Sequence, residues 1–133
     1  MSPAPAFFDT HIALYLLSGD ERRAACSEAL LAAGGSISVQ VLNEFVAVAR
    51  LKHQAPWERV HATLDALCTV CQVWPLTLAV QQQAVRLAER HGFAVYDATI
   101  IASAQAAACE LLYTEDLQHG QRIGGLQVCN PYL

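Results

Sequence analysis

The sequence predicts an α/β fold, a mostly parallel central sheet flanked by helices on both faces. Three observations predict it. Short apolar runs alternate with longer segments whose apolar residues recur at helical spacing. The connections between runs are long enough for crossover helices, as parallel pairing requires. Two of the runs stop abruptly on acidic and hydroxyl residues, Phe8 on Asp9-Thr10-His11 and Tyr113 on Thr114-Glu115-Asp116. Open parallel sheets bind their ligands just outside such carboxyl ends.

Taken in order, Met1 to Pro5 reads as a frayed start and Ala6 to Asp9 as the first strand. Ile12, Leu14, Leu16 and Leu17 mark a short helix stopped near Ser18-Gly19. Asp20 caps a second helix, with Glu21 in the first turn where a carboxylate suits the helix dipole, and Gly34-Gly35 ends it. Ser36 to Val39 is a second, brief strand. Gln40 to about Lys52 is helical, with Leu42, Phe45, Val46 and Ala49 on one face and Val41, Val48 and Leu51 on a neighbouring stripe. That pattern predicts a helix covered on most sides, and Glu44 stands beside the second stripe.

Pro56 can open the next helix, whose apolar stripe is Val60, Leu64, Leu67 and Cys71. Val73-Trp74-Pro75-Leu76 reads as an edge strand because proline cannot donate to a central ladder. Thr77 or its neighbour starts a helix that buries Val80, Ala84, Leu87 and Ala88 and ends at His91-Gly92. Tyr96-Asp97 begins an alanine-rich helix running to about Ala108. Leu111 to Thr114 is a strand, and Gly124-Gly125 turns the chain into a last one, Leu126 to Cys129. The chain holds no repeats and no linker composition, so residues 1–133 are expected to form a single domain.

Composition limits the function classes. With 133 residues, 54% hydrophobic and 15% charged, the chain can bury a real core and is not disordered. A chain this apolar is expected to cover part of its surface with a second copy. No apolar run is long enough to span a bilayer, and no basic-then-apolar leader opens the chain, so membrane and secretory classes are not expected. Five scattered cysteines are an odd number and fit a reducing cytoplasm better than a disulfide framework. Cys68 and Cys71 have the spacing of a redox or zinc pair, but they close a helical segment and lack a second pair; small buried thiols are the better reading. A net charge of −4 argues against gripping duplex DNA by phosphate neutralisation alone, yet permits a nuclease whose metal ions supply the local positive charge.

Four acids carry the chemistry. Each has an ordinary reading: Asp9 as a helix cap, Asp97 as a first-turn carboxylate, Asp116 as a turn residue. Glu44, in the middle of a helix among valines and leucines, is hardest to explain, since a carboxylate there is costly to desolvate. A shared site explains all four. Asp9 and Asp116 at parallel strand ends project from one sheet edge, and Asp97 and Glu44 can reach it from their helices. Carboxylates gathered there raise one another's pKa unless a cation sits among them. Oxygen ligands select Mg²⁺ or Mn²⁺, whose natural task is phosphoryl chemistry.

Phe7-Phe8-Asp9-Thr10-His11, Asn43-Glu44-Phe45, Tyr96-Asp97-Ala98-Thr99-Ile100-Ile101-Ala102-Ser103-Ala104 and Leu112-Tyr113-Thr114-Glu115-Asp116-Leu117 occur in the order and spacing of the PIN-domain ribonucleases. The chain most resembles the VapC-type toxins of type II toxin–antitoxin systems, and the resemblance spans essentially its whole length. It implies a PIN-like three-layer sandwich and a Mg²⁺- or Mn²⁺-dependent endoribonuclease. Asp9, Glu44, Asp97 and Asp116 match the family's metal-holding acids, and Thr10 and Thr114 match its supporting hydroxyls. Asp9 and Asp97 would be the most direct ligands, Asp116 a ligand or water-mediated contact, and Glu44 the residue orienting a water. The family often has asparagine where His11 stands; a supporting or helix-start role suits this histidine, because imidazole is unusual in a magnesium site.

The resemblance also implies a homodimer, an RNA substrate and a cognate antitoxin that covers the site. Arg22, Arg23 and Arg122 are the candidate RNA contacts. The remaining arginines and Lys52 read as solvated helix faces or dipole partners in last turns. Tyr96 could stack on a base or pack in the core, and His119 could reach a phosphate or lie at the surface. A strand-end aspartate nucleophile of the phosphatase or receiver type is disfavoured: His11 replaces the second aspartate of one pattern, and the lysine after a late strand is missing from the other. The alternative reading is a non-catalytic PIN-like protein-binding module.

Overall fold

Residues 5–133 are described by a computed structural model, so the frayed start expected over residues 1–5 lies, except for Pro5, outside the described residues. Strand β1 (Ala6–Phe8) leads directly into helix α1 (Thr10–Leu14), which tightens into a 3₁₀ turn at Tyr15–Leu17. Helix α2 (Glu21–Ala32) starts at Asp20, whose side chain accepts from the Arg23 amide at 3.0 Å. There follow β2 (Gly35–Ser38), α3 (Val39–Leu51), α4 (Trp57–Val70), β3 (Cys71–Trp74), α5 (Leu78–His91) and α6 (Val95–Ala106). The chain closes with β4 (Leu111–Tyr113), a short β5 (Arg122–Ile123) and β6 (Leu126–Cys129).

The strands form one six-stranded sheet in the order β3-β2-β1-β4-β6-β5, parallel throughout except for the β5–β6 hairpin. The α/β class and the mostly parallel sheet flanked by helices follow the sequence reading, and proline-terminated β3 is an edge strand as expected. β5 is an addition: two residues facing β6 across Gly124-Gly125 carry too little pattern to register as a strand. Cys71 opens β3 rather than closing α4, so it leaves the helix stripe assigned to it.

The sheet order decides where a site can form. From β1 the chain first runs outward to β2 and β3, then crosses to β4 on the other side of β1. The crevice between β1 and β4 at their carboxyl ends is therefore the topological switch point. Phe7, Phe8 and Leu112 are fully buried beneath it, with Ile12, Phe45 and Ile101 packed around them. Gly35 keeps β2 close to β1, since a Cβ there would sit 2.5 Å from the Phe8 ring and 2.9 Å from the Ala6 carbonyl oxygen.

Candidate metal centre at the switch point

Asp9 leaves the end of β1 and performs two tasks. Its Oδ1 accepts from the Thr10 amide at 2.6 Å, capping α1, and its Oδ2 accepts from the Thr114 hydroxyl at 2.7 Å. The capping and shared-site readings thus describe the same side chain. Asp9 is only 5% exposed, and burial pushes its pKa up to about 6, against the lowering effect of the Thr114 and Thr10 bonds; Asp116 nearby adds to the rise and His11 opposes it.

Thr114 joins the two strand ends. Fully buried at the end of β4, it donates to Asp9 while its Oγ1 accepts from the Asp116 amide at 3.1 Å. Thr10 performs a comparable service on the other side, its hydroxyl donating to Glu44 Oε2. Glu44 is therefore answered by a donor, and it is half-buried rather than sealed among apolar side chains. Helix α3 buries one stripe, Val41, Phe45 and Ala49, while Leu42, Val46 and Val48 are half-buried and Leu51 is 86% exposed. The expectation that α3 is covered on most sides is corrected: its second face borders an open cleft. Asn43, about 100° from Glu44 around the helix, lines the same cleft because the cleft runs along α3.

Asp97 lies in the first turn of α6, whose start at Ala94 has no side-chain cap, so the carboxylate meets the positive end of the helix. Partial burial raises its pKa, with Asp116 adding to the rise and His11 opposing it. His11 Nδ1 lies 3.2 Å from Asp116 Oδ2, both side chains being about two-fifths exposed (42% and 39%). The contact is close but poorly aligned, and Nδ1 makes no hydrogen bond among the described residues.

All four acids, with Thr10 and His11, line one cleft of about 810 Å³, and among the described residues no lysine or arginine lines it. Among the described residues, Asp9, His11 and Asp116 form one group offering three ligand atoms within 4.8 Å of one another. Asp97 and Glu44 face the same space from outside that trio. A divalent ion is the group this donor set can hold: carboxylate oxygens outnumber imidazole, and among the described residues no lysine or arginine answers the charge.

The three arginines considered for RNA do not line the cleft. Arg22 donates to the Tyr132 carbonyl at 3.0 Å, Arg23 pairs with Asp20 at 3.1 Å, and Arg122 bonds Gln127 at 3.2 Å on the distant hairpin. His119 accepts from the Asn130 amide through Nδ1 at 3.0 Å. Tyr96 is 61% exposed at the cleft wall, so it is not a core residue. One contact that sequence reasoning missed is Tyr15, whose hydroxyl donates to both oxygens of Glu115 at 2.7 and 2.8 Å and so pins the segment carrying Asp116. No local signal marks it, because the pair is 100 positions apart.

The PIN-domain family model matches residues 6–123. The chain belongs to the PIN-domain family. A chain of a toxin–antitoxin complex from Klebsiella pneumoniae superimposes with a TM-score of 0.73 at 25% identity, covering 96% of this chain and 98% of that one. The sarcin–ricin-loop-cleaving toxin VapC20 of Mycobacterium tuberculosis shares the fold at a TM-score of 0.63 and 22% identity, over 84% of this chain and 89% of that one. So does a chain of VapBC2 from Rickettsia felis bound to a promoter DNA fragment, at 0.66 and 21%, over 92% and 96%. No curated protein sequence matches the chain. The residues that line the acidic cleft all fall within the span that the family model matches. No helix among the described residues is long and apolar enough to cross a membrane.

Proposed function

We propose that this PIN domain, residues 1–133, is a Mg²⁺- or Mn²⁺-dependent endoribonuclease and the toxin of a toxin–antitoxin pair. The supporting observation is one cleft lined by Asp9, Glu44, Asp97 and Asp116 and, among the described residues, by no lysine or arginine. A divalent cation bound there would neutralise phosphate charge and make water nucleophilic near neutral pH. Asp9, Asp97 and Asp116 would hold it, with Thr114 keeping Asp9 and Asp116 in register and His11 standing against Asp116. Glu44, steadied through Thr10, orients the attacking water in line with the scissile RNA phosphate. Tyr96 at the wall offers a face on which a base can stack.

The chain works as a homodimer in the cytoplasm, and a cognate antitoxin covers the cleft. Exposed Leu78, Val95 and Tyr96 on α5 and α6 give it apolar surface to cover. The decisive experiment incubates the purified chain with total RNA in Mg²⁺, Mn²⁺ or chelator and maps the new 5′ ends. Discrete cleavage that requires the metal and is lost in Asp97→Asn supports the reading; intact RNA under every condition overturns it.

A further inference from the structure

The chain carries more acid than base, and among the described residues no lysine or arginine lines its cleft, so something beside the cleft has to receive the anionic backbone that flanks the cleavage point. Most basic side chains are occupied. Arg22, Arg50 and Arg59 donate to the carbonyls of Tyr132, Ala55 and Leu16, Arg23 pairs with Asp20, and Arg86 and Arg122 bond glutamines. Only Lys52 and Arg90 make no side-chain hydrogen bond or ion pair among the described residues. Of these two, Lys52 lines a cavity beside the acidic cleft.

That cavity, about 230 Å³, adjoins the acidic cleft and shares His11, Leu14 and Val48 with it. Lys52 and His53 stand at the end of α3, both exposed, and His53 also makes no side-chain bond among the described residues. Of the cavity's other polar groups, Ser18 Oγ donates to the Tyr15 carbonyl at 2.9 Å and both Glu115 oxygens accept from the Tyr15 hydroxyl, while His11 Nδ1 stands 3.2 Å from Asp116. Resting on the nuclease reading, we propose that the Lys52–His53 cavity is a subsite for an RNA backbone phosphate neighbouring the scissile one. Lys52 supplies the charge there, as a compact ammonium with three donors on a flexible stem. Its position at the C-terminus of α3, which looks like a dipole partner, is also the one place where a free lysine borders the cleft.

The test uses a fluorogenic single-stranded RNA spanning a cleavage site mapped with the wild-type chain, and compares Lys52→Ala, Lys52→Arg and Arg90→Ala over a salt series. Arg90→Ala removes the same charge away from both cavities. In Lys52→Ala, KM is expected to rise about fivefold with kcat within about twofold, and the slope of log kcat/KM against log salt to become shallower by about 0.7. Lys52→Arg should restore most of the KM, and Arg90→Ala should match wild type. Equal behaviour of Lys52→Ala and Arg90→Ala, or a fall in kcat at unchanged KM, overturns the subsite while leaving the nuclease reading standing. A wild-type chain that cuts no RNA overturns both. Lys52 is exposed, so an unchanged melting temperature is expected and excludes misfolding as the cause.

Discussion

Two polar regions of this molecule use buried side chains to opposite ends. At the seam between α2 and the C-terminus, polar groups answer one another: Ser27 and Tyr132 hydroxyls lie 2.8 Å apart, the Tyr132 amide donates to Asn130, and Arg22 donates to the Tyr132 carbonyl. Tyr15 packs edge-on against Tyr132 with ring centroids 4.7 Å apart, and the Arg23 guanidinium lies over both rings at 5.5 and 5.9 Å. At the switch point the same chain places Asp9, Asp97 and Asp116 together with hydroxyls, amides and one misaligned imidazole as their partners. The seam is a lock. The cleft carries charge that folding leaves unanswered, and such a cost is characteristic of a place kept for a ligand.

The largest expected break of this contrast is catalytic. Asp9→Asn or Asp97→Asn should lower metal-dependent RNA cleavage by about a thousandfold, while Tyr132→Phe at the seam leaves it unchanged; initial rates on one mapped RNA decide. Either amide should also abolish the rise in melting temperature caused by Mn²⁺.

Next in size is a stability gain from the same Asp9→Asn change. Folded Asp9 titrates near 6 against an ordinary value of 3.8. Between those values the folded state binds more protons than the unfolded one, so wild-type stability falls as pH rises from about 4 to about 6 and stays low at 7. Asp9→Asn removes that loss. In metal-free buffer at pH 7 it should be more stable by up to about 3 kcal/mol, with the gap closing toward pH 4. Urea unfolding at both pH values measures it, and a gap that is equal at both would sink the argument.

The seam should respond in the other direction. Tyr132→Phe leaves the buried Ser27 hydroxyl without its partner and should cost about 1–2 kcal/mol, with no dependence on added metal. The smallest effect is expected where the two regions meet. Tyr15 touches Tyr132 through its ring and Glu115 through its hydroxyl, so Tyr15→Phe keeps the packing and frees only the segment that carries Asp116. It should cost about 1 kcal/mol and weaken the Mn²⁺ response severalfold, a combination that neither a pure seam variant nor a pure cleft variant produces.

Much of this architecture was legible in the chain. Phe7-Phe8 before Asp9, the Asp20 and Thr77 caps and the Gly92 stop are local features, and each element forms close to where they place it. β5 was missed because two residues hold no periodicity. The openness of α3 was missed because apolar residues on adjacent stripes look the same whether or not a neighbour covers the second stripe. The three arginines were illegible for a related reason: a charged side chain on a helix surface does not announce whether its partner is solvent, a carbonyl or an RNA.

By itself the sequence determined the alternation of strands and helices, the Asp20 and Thr77 caps and the family to which the chain belongs, because these depend on residues within a few positions of one another or on the order of short motifs. Only the tertiary structure decided who answers each acid. Thr114 reaches Asp9 across 105 positions, Thr10 reaches Glu44 across 34, and Lys52 borders the cleft only because α3 lies against α1. Desolvation and hydrogen bonding act through space, so the raised pKa of Asp9 and the place of Lys52 in the cavity adjoining the cleft are properties of the packed molecule.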